Sequence, residues 1–292
     1  MSRYRFIREK KADYPLAALC RALHVSRSGY YAWAGRKVSA RAQADAELTA
    51  RIAAAHARSR RTYGAPRIHA ELRAAGVRCA RKRVARLMQT AGLVGCHRRR
   101  RTRTTGAEPT HVPAPNLVAR NFSAPAIDRL WLGDITYVAT REGWLYLAVL
   151  LDAHSRRVVG WAMADHLRTE LALDALTMAL RARCPSVGLV HHTDRGGQYT
   201  AAAYRGTLAA HGVTCSMSRS GECLDNAMAE SFFATLKAEV ADTQNWPSRG
   251  AARLAIFEWI EVWYNRQRRH SALAYQPPVT AEAMLLLHDQ AA

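Results

Sequence analysis

Residues 144–151, Trp-Leu-Tyr-Leu-Ala-Val-Leu-Leu, form an unbroken apolar run. The run is far too short to span a bilayer, and its length suits a β-strand buried on both faces. Such a strand belongs inside a sheet that is covered above and below. The flanking sequence supplies neighbours and cover. Residues 131–138 are aromatic and β-branched and read as a strand, Arg141-Glu142-Gly143 is a turn signal, and 157–163 give a third strand. A helix over 169–183 carries Leu173, Leu176 and Leu180 on one face. A fourth strand at 188–193, a helix over 200–211, a short strand at 213–217 and a last helix follow. This order predicts an α/β fold, a mixed central sheet flanked by helices.

Three acids fall where this layout lets them meet. Asp134 lies on the first strand, in Trp131-Leu132-Gly133-Asp134-Ile135-Thr136. Asp194 ends the fourth, in His191-His192-Thr193-Asp194-Arg195-Gly196-Gly197-Gln198-Tyr199. Glu230 arrives on the last helix, in Asp225-Asn226-Ala227-Met228-Ala229-Glu230-Ser231-Phe232-Phe233. Hard cations such as Mg²⁺ take oxygen ligands, and two such ions can hold the attacking and the leaving oxygen of a phosphoryl displacement. The acids are therefore candidate catalytic residues and ligands for two Mg²⁺ ions, with Mn²⁺ as a substitute. Spacing alone does not carry this reading. With 11 Asp and 12 Glu in the chain, a pair with 35 residues between arises by chance about 0.5 times. The local contexts raise the signal. On the last helix Asn226, Glu230 and Lys237 are expected on one side, with Ala229, Phe232 and Leu236 opposite, facing the sheet.

In these contexts the chain resembles the catalytic domain of DDE transposases and retroviral-type integrases, whose fold is ribonuclease H-like. Within that group it is similar to the bacterial insertion-sequence transposases made from two overlapping reading frames, specifically the second-frame product, OrfB. The resemblance covers nearly the whole chain. It includes Ser26-Arg27-Ser28-Gly29-Tyr30-Tyr31-Ala32-Trp33, Thr62-Tyr63-Gly64-Ala65-Pro66-Arg67-Ile68 and Tyr264-Asn265-Arg266-Gln267-Arg268-Arg269-His270-Ser271-Ala272-Leu273. It implies catalytic acids at Asp134, Asp194 and Glu230, and a DNA-contacting basic residue at Lys237. It also implies DNA partners (element ends and target), a homo-oligomer on DNA, and the first-frame product OrfA as partner or fusion. Retroviral-type integrases open with a His-His-Cys-Cys zinc domain, and this chain departs from that pattern. Cys20, Cys79, Cys96, Cys184, Cys215 and Cys223 are scattered without a Cys-x-x-Cys pair. They read as reduced, mostly buried thiols.

Charge divides the chain. Residues 1–125 hold 27 Lys+Arg against 6 Asp+Glu, while 126–292 hold 16 against 17. The first part, at +21, is expected to bind polyanions by counterion release; a generally soluble basic surface is the alternative. Residues 1–37 form a small helical segment. Leu16, Leu19, Cys20 and Leu23 make an apolar face, and Ser26 is an N-cap candidate. This segment is either a helix-turn-helix or a packing module. Residues 38–95 hold a stronger helix-turn-helix-like pattern. One helix starts at Pro66 and ends at Gly76. A second, over 80–91, sets Val84, Leu87, Met88 and Ala91 against Lys82, Arg86 and Gln89, which are candidate DNA contacts. Residues 96–125 read as a basic, Pro-containing linker, with Arg98, Arg99, Arg100 and Arg101 expected on DNA. Residues 126–265 are the catalytic core and 266–292 a basic tail, whose Arg266, Arg268 and Arg269 are candidate phosphate contacts.

Other polar residues carry plainer readings. His191 and His192 are expected to be packed rather than ligating. Asp152, before Ala153-His154-Ser155, is expected to cap a turn, and Arg195-Gly196-Gly197 is a turn or a phosphate approach. No Walker-type loop or dinucleotide fingerprint implies a nucleotide cofactor. Without an apolar signal region or membrane span, the chain is expected in the cytoplasm, on the nucleoid. The expected function is metal-dependent cleavage at insertion-sequence ends followed by strand transfer for DNA integration. The alternatives are a hydrolytic nuclease of the same fold and a non-catalytic DNA-binding or inhibitory element product.

Overall fold

The computed structural model describes residues 2–96, 114–219 and 223–291. The Arg98–Arg101 run expected on DNA lies outside these residues. The first described part is all helical, with α1 (Arg3–Lys10), α2 (Leu16–Ala22), α3 (Arg27–Ala34), α4 (Ala40–Arg58), α5 (Ala65–Ala74) and α6 (Arg81–Thr90). Ser26 caps α3 as expected, accepting from the Gly29 N–H. Helices α1–α3 close a small core of their own around Ile7, Leu19, Cys20 and Tyr30. The expected pair, α5 and α6, packs on the longer α4 through Leu48, Ile52, Ile68, Leu72, Val84 and Leu87.

The second part is built on a five-stranded sheet of β1 (Leu130–Thr140), β2 (Gly143–Asp152), β3 (Val158–Ala164), β4 (Val190–Thr193) and β5 (Thr214–Met217). The spatial order is β3-β2-β1-β4-β5. β1, β2 and β3 run antiparallel as neighbours, whereas β4 lies parallel to β1 and β5 parallel to β4. Helices α7 (Thr169–Arg183), α8 (Gly197–Thr200) and α9 (Ala202–Ala210) supply the crossovers.

The apolar run sits where its composition demands. Along β2, Leu145, Leu147, Val149 and Leu151 join one core, while Ala148 and Leu150 join the other. Period-2 alternation thus feeds both faces of a central strand. Each buried leucine there contributes about 1.5–3 kcal/mol relative to exposure. One face is covered by α7, α8 and α9. The other is covered by α10 (Ala227–Leu236) and α11 (Arg249–Glu258), each continued by a π-helical turn, Lys237–Ala241 and Trp259–Tyr264 respectively. Gly160 lets α7 lie close on β3, since a Cβ there would collide with the Ala175 carbonyl and Ala179.

Two features depart from the sequence reading. Within the segment expected as a basic tail, residues 266–291 are docked on the sheet unit. They end in α12 (Pro278–Ala291), whose Glu282 is buried and bonds Ser155, Arg157 and Arg183. The helical part also shares a continuous apolar cluster with the sheet part, joined where Tyr63 meets Trp263 at 5.6 Å between ring centroids.

Candidate active site

The parallel pairing of β1 with β4 creates the site. Leu130, Trp131 and Leu132 lie beside Val190, His191 and His192. Continuing that register by two residues brings Asp134 alongside Asp194, at the end where β4 stops. Gly133 is required by this packing, because a Cβ there would lie 2.7 Å from His191 Cε1 and 3.1 Å from Thr193 Cγ2. The Ile135 N–H donates to Asp134 Oδ1 at 2.8 Å and the Gly196 N–H to Asp194 Oδ1 at 2.9 Å. The Arg195-Gly196-Gly197 turn thus braces Asp194.

Glu230 comes from α10, which packs against β1. The tie is Asn226, at the start of that helix, whose Nδ2 donates to the Gly133 carbonyl at 3.2 Å. It anchors the helix carrying Glu230 to the residue preceding Asp134. Asn226 was legible as a residue on the same helix side as Glu230, but its bond across 93 positions was not.

Electrostatics set these acids apart. Asp134 is pushed well above the usual carboxylate range, first by burial and then by the charge of Asp194, with Glu230 adding to the effect; the Ile135 N–H and Lys237 oppose it. Asp194 is raised by desolvation, partly offset by the Gly196 N–H, and Glu230 is likewise raised by desolvation. Glu230 remains exposed at the surface. Among the described residues, no three His, Cys, Asp or Glu donors are drawn together as a ready metal cage. The donor chemistry nevertheless fits a hard divalent cation: these are carboxylate oxygens, and Asp134 is repelled by the other two.

Lys237 lies near the acids but is more enclosed than a DNA-contacting residue was expected to be. It is only 4% exposed, with Nζ 4.9 Å from the centroid of the Tyr137 ring. The lysine opens the π-helical turn, and burial withdraws it from the open surface where a phosphate contact was expected. Its charge instead reaches Asp134. Tyr199 was quoted in the Asp194 motif without a role. It is buried beside both aspartates, and its hydroxyl pKa is raised, chiefly by burial.

The expected DNA contacts divide into open and engaged groups. Lys82 and Gln89 are exposed on α6. Arg86 is exposed but shares Asp45 with Arg83, at 2.6 and 2.7 Å. Arg266 is exposed. Arg268 is a correction: it is buried, and its guanidinium pairs with Glu239 at 2.7 Å. Arg269 is engaged too, bonded to Glu71 at 2.6 Å while its N–H donates to the Tyr63 hydroxyl. Both arginines have carboxylate partners brought close by the fold.

The histidines are packed, as the plainer reading had it. His191 is fully buried with Nε2 2.8 Å from the Tyr204 hydroxyl, and burial lowers its pKa to about 3. His192 Nε2 lies 2.9 Å from the Asp225 carbonyl, which can only accept, so that nitrogen carries the proton. Its Nδ1 then accepts from Ser216 at 2.8 Å. Asp152 caps its turn, accepting from the N–H groups of Asp128, His154 and Ser155. The cysteines whose side chains are described are all free thiols, with Cys96 and Cys184 exposed rather than buried.

A mixed five-stranded sheet with one acid on β1 and another just past the end of the adjacent parallel β4, preceded by helical modules, defines the class of integrase-core proteins. Residues 124–223 and 211–278 match the integrase core domain, and residues 43–101 match an HTH-like domain. The chain is 44% identical over 261 residues to the insertion element IS600 uncharacterized 31 kDa protein of Shigella sonnei, covering 89% of this chain and 96% of that one. It is 42% identical over 271 residues to transposase InsF for insertion sequence IS3A of Escherichia coli K12, covering 92% and 94%. The HTLV-2 integrase catalytic core domain, solved in complex with magnesium, overlaps at 14% identity and a TM-score of 0.42, covering 55% of this chain and 99% of that one. The chain belongs to the IS3-family insertion-sequence transposases, with an integrase catalytic core behind an HTH-like region. Among the described residues no helix is long and apolar enough to cross a membrane.

Proposed function

We propose that this transposase cuts DNA at the ends of its element and joins the freed ends to target DNA by metal-dependent phosphoryl transfer. The observation that carries the reading is the parallel β1–β4 register, which leads Asp134 to the side of Asp194, with Glu230's charge felt at Asp134. Asp134, Asp194 and Glu230 would hold Mg²⁺. The ions, when bound, supply charge neutralisation for the attacking and leaving oxygens. The chain's own groups hold the carboxylates in place. The Ile135 and Gly196 N–H groups fix one oxygen of each aspartate, and Asn226 ties the Glu230 helix to β1. In the first step water attacks an end phosphodiester and a 3′-OH leaves. In the second, that 3′-OH attacks a phosphodiester of another strand and displaces its 3′ oxygen. Each bond broken is matched by one formed, so no nucleotide is consumed.

The exposed α6 face, with Lys82, Arg86 and Gln89, and Arg266 are the surfaces proposed for DNA. Assembly as an oligomer on DNA and participation of an OrfA product or fusion belong to the same proposal, as does action on the nucleoid. The test is Mg²⁺-dependent joining of a duplex carrying the element's end. Joined product is expected from the parent, and DNA binding without cleavage from Asp134→Asn, Asp194→Asn and Glu230→Gln. Near-normal cleavage by one of these variants would remove that residue from the site. Hydrolysis without joining would favour a nuclease.

A further inference from the structure

Two motifs from the sequence have no part in the acid site: Thr62-Tyr63-Gly64-Ala65-Pro66-Arg67-Ile68 and the run from Tyr264 through Leu273. In the fold they meet. The Tyr63 hydroxyl accepts from the Arg269 N–H at 2.7 Å, and Arg67 Nε donates to the Arg269 carbonyl at 3.0 Å. Beside this junction lies a cleft of about 190 Å³. Its wall includes Arg67 from the helical part, Arg156 from the β2–β3 turn, Ser231 and Thr235 from α10, and Arg268 and His270 from the second motif. That volume has room for about six waters at liquid density, enough for a phosphate group and a few waters.

The cations around the cleft are unequally engaged. Arg268 is paired with Glu239. Arg67 lies over the Tyr63 ring at 5.6 Å. Arg156 Nε is buried without a hydrogen-bond partner. The carboxylate whose charge it feels, Asp152, is already occupied by the N–H groups of Asp128, His154 and Ser155 and by the Ser155 hydroxyl. Burial lowers the Arg156 pKa, the mark of a cation placed at a cost. Its backbone also holds a left-handed φ of 62°, which a non-glycine residue rarely adopts. A half-buried guanidinium in a polar cleft calls for an anion.

We infer that this cleft seats one backbone phosphate of bound DNA, gripped by Arg156. The inference rests on the reading of the chain as a DNA-joining transposase. On α10 the cleft-lining residues Met228, Ser231, Phe232 and Thr235 lie on the flank opposite Glu230, given 3.6 residues per turn. A helix with its side chains is roughly 10 Å across. The seated phosphate therefore belongs to a different stretch of backbone from the one at the acids, and α10 becomes a wedge between two contacts. Because Arg67 and His270 come from separate parts of the fold, the seat exists only while the helical part is docked on the core.

The test uses the full chain, metal-free, with a random-sequence duplex, so that no joining is scored. Arg156→Gln is expected to bind more weakly, with a plot of log affinity against log salt shallower by about 0.9. Arg156→Lys should keep most of the slope. Arg156→Gln should melt no lower than the parent without DNA, since it loses a poorly compensated charge. Should Arg156→Gln fail to fold, phenylglyoxal labelling of the parent, mapped by mass spectrometry, decides. DNA is expected to protect Arg156. Parental affinity and slope in Arg156→Gln, an equal loss in Arg156→Lys, or labelling unchanged by DNA would overturn the inference. A parent that binds DNA here but joins none in the separate Mg²⁺-dependent assay would break the cutting-and-joining reading and leave the phosphate seat standing.

Discussion

Two groups of acids in the same α/β unit are treated in opposite ways. Around Glu282, Arg157 and Arg183 stand at 2.6 and 3.0 Å, Asp128 pairs with Arg183 at 2.9 Å, and Ser155 completes the set. Burial alone would raise the Glu282 pKa, but Arg157, Arg183 and Ser155 bring it below the usual range. Around Asp134, the neighbouring charges are mostly of the same sign, and its pKa is driven up. One cluster is neutralised by arginines of the chain, and the other is left with mutual repulsion that Lys237 only partly offsets. Acids in matched pairs fasten structure, whereas acids left facing one another store a demand for a ligand.

The largest effect that could break this contrast is catalytic. Removing the charge of Asp134, Asp194 or Glu230 with the isosteric amide should lower joining by about 10³-fold or more, since the metal's contribution is several kcal/mol. The measurement is strand transfer at saturating DNA. The same Asp134→Asn change should leave the fold as stable or more so, whereas Glu282→Gln should cost about 3 kcal/mol by leaving Arg183 and Arg157 undercompensated. Denaturant unfolding of the two variants side by side checks that pair. A destabilised Asp134→Asn with an unaffected Glu282→Gln would reverse the comparison.

Metal addition should discriminate next. Mg²⁺ at about 100 times its dissociation constant should stabilise the parent by about 2.7 kcal/mol, and a chelator should remove the gain. Glu282→Gln should keep the response, and Asp134→Asn should lose most of it. The smallest expected effect is in pH. Asp134 has a raised folded pKa, so the folded state binds its proton more readily. Stability from this group should rise as pH falls through that pKa. Glu282 has a lowered folded pKa. Its contribution is present above the unfolded value and is lost as pH falls through the folded one. Unfolding curves from neutral to acid pH should therefore show Asp134→Asn and Glu282→Gln departing from the parent in opposite directions.

The sheet and the approach of Asp134 to Asp194 were legible because their signals are local. Residues 144–151 declare a strand by composition, and Asp134 and Asp194 lie in or beside strand segments whose order the sequence also gives. The fates of Arg268 and Arg269 were not legible, since their partners Glu239 and Glu71 lie 29 and 198 positions away. As basic residues in a polar run they resembled surface contacts. Helix α4 was missed although Leu48, Ile52 and Ala55 recur at helical spacing, because the surrounding alanines blur the contrast between faces. The place of Lys237 near the acids was legible from its seven-residue spacing to Glu230, but its burial against Tyr137 was not, since that ring comes from β1, a hundred positions earlier.

The π-helical turn that opens at Lys237 bears on how this segment can change in length. A π-helical turn amounts to an α-turn with one residue added, and Lys237–Ala241 contains Glu239. Glu239 accepts from the indole N–H groups of Trp259 and Trp263 and from the Arg268 guanidinium. Deleting Ala238 would move Glu239 one position back along the helix, about 100° around its axis from where its partners meet it. Three donors would then lose their shared acceptor at once. Substitutions along this stretch are matters of degree, but a one-residue deletion is a change of phase.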